Sequence, residues 1–207
     1  MQQYPVNLVL DGRRCLVVGG GTVALRKVEG LLACGGRVTV VAPRIDPELR
    51  MLSGVMIQER AWQPEDIGGM WLVIAATDDR AVNRAVYEAG QRAGVWVNGA
   101  DDPANCSFTL PSVVRRGDLQ VTVSTGGRSP ALSTWLRRRL EGEIGPEYAV
   151  LLELLAAERD GLKAAGVSTE GLDWRSALDS DMLDLIRTGD LAHARERLQT
   201  CLSSSSD

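Results

Sequence analysis

The chain has 207 residues, of which 44% are hydrophobic and 24% charged, and its formal net charge is −4. This composition can form a globular core, and the negative charge argues against a nucleic-acid groove as the main functional surface. No apolar run is long enough to span a membrane and residues 1–10 lack a signal-peptide pattern, so we expect a cytoplasmic protein. With one histidine and no C-x-x-C spacing among its four cysteines, the sequence predicts no metal site and excludes a Ser-His-Asp triad.

The first predicted elements lead into and out of a glycine-rich turn. Val6–Leu10 predicts a short strand, and Cys15–Val18 is a continuous apolar run typical of a buried parallel strand. Gly19, Gly21 and Ala24 then follow the pattern G-x-G-x-x-A, in which the glycines permit a tight turn and a close approach of pyrophosphate to the backbone. The start of the next helix would present N–H groups to that phosphate. The turn therefore predicts a dinucleotide site, with an ordinary glycine-rich strand-to-helix turn as the alternative.

Strands and helices continue to alternate and predict an α/β fold with a Rossmann-like parallel sheet. Further strands are predicted at residues 37–42, 55–60, 70–76 and 95–97, with helices at residues 46–52 and after the N-cap Asp79. Ala75 and Ala76 end the central strand, where their small side chains leave room for a ribose or nicotinamide, or merely pack against a helix.

The place of the usual acidic ribose-binding residue, about twenty residues past the glycines, is taken by Ala42, Pro43 and Arg44. The residues alone therefore leave NAD and NADP open. Arg44 either faces a 2′-phosphate or is a solvated loop cation, and the solvated cation is favoured.

A polar loop at residues 98–107 follows the last strand of the predicted sheet, at the edge where open α/β sheets bind their ligands. Asp101 and Asp102 each offer a proton acceptor there. Asp102 precedes Pro103 and is favoured as a turn residue. The residues leave Asp101 undecided between a turn and a catalytic role.

An antiparallel hairpin is predicted next, from residues 108–116 and 119–125, and it breaks the alternation. A second glycine-rich turn, Thr125–Pro130, opens a helix that is capped by Ser129 and runs from Ala131 to about Glu143; its start could hold a carboxylate or phosphate. Helices follow at residues 147–165, 181–187 and 191–202, with a disordered tail at residues 203–207, and His193 is given no catalytic role. The predicted division is a dinucleotide-binding Rossmann domain at residues 1–112, a hairpin and helix region at residues 113–145, and a C-terminal helical domain at residues 146–207.

These motifs together resemble the precorrin-2 dehydrogenase family, which also forms the amino-terminal module of siroheme synthases. The resemblance covers Pro5 to about Glu147. It rests on Val18-Gly19-Gly20-Gly21 with Val23-Ala24 and Arg26-Lys27, Val40-Val41-Ala42-Pro43, Ala75-Ala76-Thr77-Asp78 with Asn83, Asn98 through Asp101 to Ser107-Phe108, Pro111-Ser112, and Ser124-Thr125-Gly126-Gly127 with Ser129-Pro130. The family uses NAD without the usual acidic ribose residue, so the departure at residues 42–44 agrees with the resemblance.

The resemblance implies a stand-alone, homodimeric oxidoreductase of siroheme biosynthesis, in which residues 1–112 are the NAD-binding domain and residues 113–145 are the dimerisation region. Such an enzyme oxidises precorrin-2 to sirohydrochlorin: NAD accepts a hydride, and Asp101 takes a proton. The implied cofactor contacts are Gly19, Gly21, Thr22, Val23, Pro43, Arg44, Ala76 and Thr77, and the implied substrate contacts are Ser124, Thr125, Gly126 and Arg128.

Three further points stay open at the level of sequence. Arginines at positions 115, 116, 128 and 137–139 are candidates to bind the carboxylates of the tetrapyrrole, with simple solubility as the alternative. Some relatives also insert iron into sirohydrochlorin, and the residues do not decide whether this chain does. The competing hypothesis is a dinucleotide-sensing regulatory module without catalysis, which would need no base at Asp101.

Overall fold

The structure, a computed structural model, describes residues 3–203. The chain divides into two compact units, Met1–Leu110 and Pro111–Asp207, and each is described by itself. Residues 204–207 of the predicted tail lie outside the described residues. No helix within residues 3–203 has the length and apolar character needed to cross a membrane.

The first unit is built on a five-stranded parallel sheet with the strand order β3-β2-β1-β4-β5. Its strands are β1 (Arg14–Val18), β2 (Arg37–Val41), β3 (Val55–Gln58), β4 (Leu72–Ala75) and β5 (Trp96–Gly99). Its helices are α1 (Thr22–Leu32), α2 (Pro47–Met51) and α3 (Arg80–Ala93). The predicted α/β, Rossmann-like architecture is confirmed.

Alternate residues of the central strand β1 belong to two different hydrophobic cores. Cys15 and Val17 pack with residues of α1 and α2, whereas Leu16 and Val18 pack with residues of α3. Because successive side chains of a strand point to opposite faces, helices cover both faces of the sheet. This double burial explains why the strands are continuous apolar runs rather than alternating ones.

The carboxyl ends of four strands meet at one edge of this sheet. Val18 is in register with Val41 of β2 and with Ala75 of β4, and Ala75 is in register with Gly99 of β5. The segments that follow these residues therefore gather at the same edge, where open α/β sheets bind ligands.

The predicted strand at Val6–Leu10 is wrong, because this segment makes no ladder. Both neighbours of β1 in the sheet are already other strands, β2 and β4. Leu8 and Leu10 instead pack against the core beneath α1, while Val9 is 78% exposed. The apolar residues serve packing without strand pairing.

The second unit begins with a two-stranded antiparallel hairpin and continues as helices. The hairpin consists of β6 (Ser112–Arg116) and β7 (Leu119–Val123), so its first strand starts later than the predicted residue 108. The helices are α4 (Pro130–Glu143), α5 (Glu147–Ala164), α6 (Trp174–Leu178), α7 (Met182–Arg187) and α8 (Leu191–Ser203). Sequence analysis missed the short helix α6, which buries Ala177 in a core formed with α5, α7 and α8.

Candidate functional site

The first glycine of the turn after β1 lies where strands β1, β2 and β4 meet. Gly19 has φ +126°, a conformation that only glycine adopts readily. A Cβ on Gly19 would lie 2.2 Å from the carbonyl oxygen of Ala76. The N–H of Gly19 donates to the carbonyl of Val41 at 3.0 Å. A side chain at this position would collide with the segment that follows β4.

The second glycine joins the turn to the loop after β2. A Cβ on Gly20 would lie 2.1 Å from the carbonyl oxygen of Arg44, and the N–H of Asp46 donates to the carbonyl of Gly20 at 2.8 Å. The exposed residues Pro43 and Arg44 are therefore held against the turn. Sequence analysis treated Gly20 as a variable position of the motif and missed this requirement.

The third glycine opens onto empty space at the start of α1. A Cβ on Gly21 would meet no atom within 4 Å. Within the described part of the chain, no side chain caps this end of α1, and the first turn of α1 contains no acidic residue. Since the first N–H groups of a helix lack partners within the helix and its dipole favours negative charge there, the start of α1 at Thr22 and Val23 is suited to a phosphate group.

A cleft of about 170 Å³ lies at this edge of the first unit. It brings together four predicted site residues: Val23, Ala76, Thr77 and Asp101. It is also lined by five residues that sequence analysis had not placed in the site: Asp78, Arg80, Asn83, Ala100 and Asp102.

Asp101 follows β5 and is the only non-glycine residue with positive φ within residues 3–203. Its φ is +59°, and backbone strain of this kind concentrates at functional sites. Its side chain is exposed, and within the described part of the chain its carboxylate makes no hydrogen bond or direct ion pair. Asp102 differs, because its carboxylate accepts a hydrogen bond from the side-chain amide of Asn105 at 2.7 Å.

The loop around Asp101 is fixed by other side chains. Cys106 Sγ lies 3.3 Å from the carbonyl oxygen of Gly99 and 3.2 Å from that of Asp102, and burial raises the pKa of this thiol. Asn98, which is buried, donates from Nδ2 to the carbonyl of Phe108 at 2.9 Å. The conformation of the loop therefore does not depend on the Asp101 carboxylate.

A lysine of α1 lies close enough to Asp101 to interact with it electrostatically. Lys27 is half-buried and stands four residues after Val23, on the same side of the helix. Burial lowers the pKa of Lys27, and the negative charge of Asp101 opposes that shift. Sequence analysis named Lys27 only as part of a family motif, and periodicity alone could not show that its side chain is half-buried.

The second glycine-rich turn belongs to the second unit and contains the predicted substrate residues. Thr125 Oγ1 donates to the carbonyl of Ser129 and accepts from its N–H, both at 3.1 Å. Gly126 has φ +60°, and its N–H donates to Ser124 Oγ at 3.2 Å. The predicted N-cap is confirmed, because Ser129 Oγ accepts from the N–H of Leu132 at 3.2 Å. The hydroxyl of Thr125 is thus used to shape the turn.

The candidate arginines of the second unit differ in how far they are already engaged. Arg116 donates to the carbonyls of Ile144 and Glu141, each at 2.8 Å, and so caps the end of α4. Arg137 pairs with Glu141 at 2.6 Å, and Arg139 pairs with Glu143 at 3.1 Å.

Arg128 and Arg138 are exposed, and neither forms an ion pair within residues 3–203. Of these two, only Arg128 belongs to the glycine-rich turn.

Comparison with known proteins places the first unit in a family. Residues 6–112, more than half of the chain, match the family described as "Putative NAD(P)-binding". The chain belongs to this family. Residues 116–143 match a second family, described as the central part of sirohaem biosynthesis proteins.

Curated relatives and a solved structure extend this likeness to the whole chain. Siroheme synthases of Thioalkalivibrio sulfidiphilus and Nitrosococcus oceani are 41% and 38% identical over 100% and 98% of this chain. The chain spans less than half of these relatives, 43% and 44% of their length. A solved structure titled SirC, precorrin-2 dehydrogenase, is 29% identical with a TM-score of 0.75, covering 96% of this chain and 98% of that one.

Proposed function

We propose that this protein oxidises precorrin-2 to sirohydrochlorin with NAD, as a step of siroheme biosynthesis. The observation that carries the proposal is the Asp101 carboxylate, which stands exposed in the same cleft as Val23, Ala76 and Thr77. The cleft lies at the ligand-binding edge of a unit that belongs to an NAD(P)-binding family. The likeness to a solved precorrin-2 dehydrogenase over 96% of the chain supports the choice of substrate.

The residues present fit a bound dinucleotide. Gly21 leaves open space above the backbone at the uncapped start of α1, where Gly19, Thr22 and Val23 would hold the pyrophosphate. Pro43 and Arg44 would contact the adenosine side, and Ala76 and Thr77 the nicotinamide side. When bound, NAD supplies the acceptor for the hydride that leaves the macrocycle.

Asp101 would act as the base of this oxidation. As the hydride leaves one carbon of the macrocycle, a proton leaves the neighbouring carbon to a carboxylate oxygen of Asp101, and the bonding electrons of that second C–H form the new double bond. Because Asp101 is exposed, it can then release the proton to water. Two electrons and two hydrogens leave the substrate, one as hydride and one as a proton.

The anionic substrate also needs cations and N–H donors, and we assign these to the second glycine-rich turn. Thr125 and Gly126 begin that turn, Ser124 directly precedes it, and Arg128 is the exposed arginine within it. Arginine binds carboxylates through paired hydrogen bonds. Replacing Arg128 with methionine should raise the KM for precorrin-2 and leave the affinity for NADH unchanged.

The test combines an anaerobic assay with a binding measurement. Precorrin-2 and NAD are mixed with the protein, and both NADH and the absorbance of sirohydrochlorin should appear; a parallel reaction with NADP tests the choice of cofactor. Asp101→Ala should bind NADH as the wild type does and lose turnover. If the wild type binds NADH without forming sirohydrochlorin, the protein is a dinucleotide sensor; full activity of Asp101→Ala would remove Asp101 from the mechanism. Addition of Co²⁺ and sirohydrochlorin tests metal insertion separately.

We further infer that two copies of the chain form a homodimer through the second unit. Leu132 and Trp135 lie three residues apart on α4, where they are 48% and 57% exposed. Large exposed apolar side chains on one helix face are typical of protein interfaces. Light scattering should give the mass of a dimer, and Trp135→Glu should reduce it to that of a monomer.

We infer a cytoplasmic location from the cysteines. Cys15 and Cys106 form no disulfide within residues 3–203. Free thiols are typical of the reducing cytosol. Fractionation of cells should recover the protein with cytosolic markers.

A further inference from the structure

A buried asparagine of α3 is bonded to the segment that follows β4. Asn83 is 3% exposed. Its Oδ1 accepts from the N–H of Thr77 at 3.2 Å and from Thr77 Oγ1 at 2.7 Å, and its Nδ2 donates to the carbonyl of Thr77 at 2.8 Å. One side chain thus satisfies the N–H, the carbonyl and the hydroxyl of a single residue.

These bonds leave Thr77 little conformational freedom. The segment cannot rotate without leaving polar groups of the buried Asn83 amide unsatisfied, which is energetically unfavourable. Thr77 Oγ1 also accepts from the N–H of Asp79 at 3.2 Å, and Asp79 caps α3. The asparagine therefore links the first turn of α3 to the wall of the cleft.

The segment held in this way faces the glycine-rich turn. Ala76 and Thr77 line the cleft together with Val23, and the carbonyl of Ala76 occupies the space that a side chain on Gly19 would need. A shift of Thr77 would therefore alter the wall opposite the start of α1. No other side chain within residues 3–203 bonds to the backbone of Thr77.

We infer that Asn83 is a positioning residue, which fixes Thr77 in the conformation that receives the dinucleotide. This inference rests on the proposed function, because it takes the cleft to be the cofactor site. Asn83 acts through Thr77, and its loss should weaken NADH binding by more than its effect on stability explains.

The chain offers variants that separate positioning from stability. Asn83→Ala removes all three bonds. Asn83→Asp keeps the acceptor oxygen but turns a second oxygen towards the carbonyl of Thr77, where the amide donated. Thr77→Val removes the bonds of the Thr77 hydroxyl to Asn83 and Asp79, keeps the two backbone bonds to Asn83, and serves if the Asn83 variants do not fold. Val86→Ala is the matched control, because Val86 is fully buried on the same helix, one turn further on, and its apolar side chain cannot form a hydrogen bond with Thr77.

NADH binding to each variant is measured by fluorescence titration, and stability by urea denaturation. We expect the Kd for NADH to rise about tenfold in Asn83→Ala and in Asn83→Asp, and about threefold in Thr77→Val. Val86→Ala should lose stability and keep the wild-type Kd. Equal changes of Kd in Asn83→Ala and Val86→Ala, or a wild-type Kd in Thr77→Val, would overturn the inference about Asn83 but not the proposed function. Failure of the wild type to bind NADH would overturn the proposed function as well.

Discussion

Alanine substitution of the three consecutive glycines should give three different results, although the sequence makes them look equivalent. A Cβ on Gly19 would lie 2.2 Å from a backbone oxygen, and φ there is +126°. A Cβ on Gly20 would also overlap a backbone oxygen, at 2.1 Å, but its φ is not positive. A Cβ on Gly21 would meet no atom within 4 Å.

These geometries predict how much each of the three alanine substitutions lowers the free energy of unfolding. Gly19→Ala combines backbone strain of about 1–3 kcal/mol with an overlap that costs about 1–3 kcal/mol, so the loss should be about 2–6 kcal/mol. Gly20→Ala has only the overlap and should lose about 1–3 kcal/mol. Gly21 is the N-cap of α1, where alanine is a poorer residue than glycine by less than about 1 kcal/mol. The domain's whole stability is of order 5–15 kcal/mol, so Gly19→Ala should be close to unfolding.

Urea denaturation followed by circular dichroism measures these losses, and NADH fluorescence measures binding. Gly21→Ala should be nearly as stable as the wild type and yet bind NADH at least tenfold more weakly, since its methyl group enters the space proposed for the pyrophosphate. A Gly21→Ala protein that is as unstable as Gly19→Ala would refute the geometry of the turn. A stable Gly21→Ala protein with wild-type affinity would refute the phosphate site.

Three other perturbations test separate parts of the structure. Asp101→Gly should abolish turnover. Its free energy of unfolding should be unchanged or higher by up to about 1 kcal/mol, because glycine accepts positive φ, and urea denaturation measures this quantity. Arg116→Met should destabilise the second unit by about 1–2 kcal/mol through loss of the α4 cap, whereas the exposed Arg138→Met should not. Asp190 raises the pKa of His193 above its ordinary 6.5, so their pairing stabilises α8 below that pH and is lost as the pH rises through the raised pKa. In Asp190→Asn, an NMR titration should show the pKa of His193 lowered.

Patterns that depend on neighbouring residues in the chain could be predicted from the sequence. The apolar runs gave β1 and β4, and local chemistry gave the caps at Asp79 and Ser129. The wrong strand at Val6–Leu10 shows the limit of such patterns, because apolar residues such as Leu8 and Leu10 can also be buried by packing without strand pairing.

The remaining features of the site depend on what lies opposite each residue. Gly20 looked like a variable motif position until the carbonyl of Arg44 proved to lie above it. Lys27 and Asp101 are far apart in the sequence, and only the fold brings them near each other. Asn83 was one member of a family motif with no role that its sequence neighbours could suggest; its partner, Thr77, precedes the helix by one turn. A polar residue within the apolar face of an otherwise regular helix is the signal that could have pointed to it.

The contrast between two adjacent carboxylates argues most directly for catalysis at Asp101. If Asp101 served the turn alone, its carboxylate would be expected to bond to the loop, as that of Asp102 does with Asn105. Instead the loop is tied by Asp102 and Cys106, and Asp101 adopts a strained backbone whose side chain the loop does not use. Glycine would adopt this positive φ with less conformational strain. The fold alone does not require an aspartate at this position, which supports the proposal that its carboxylate acts in the cleft.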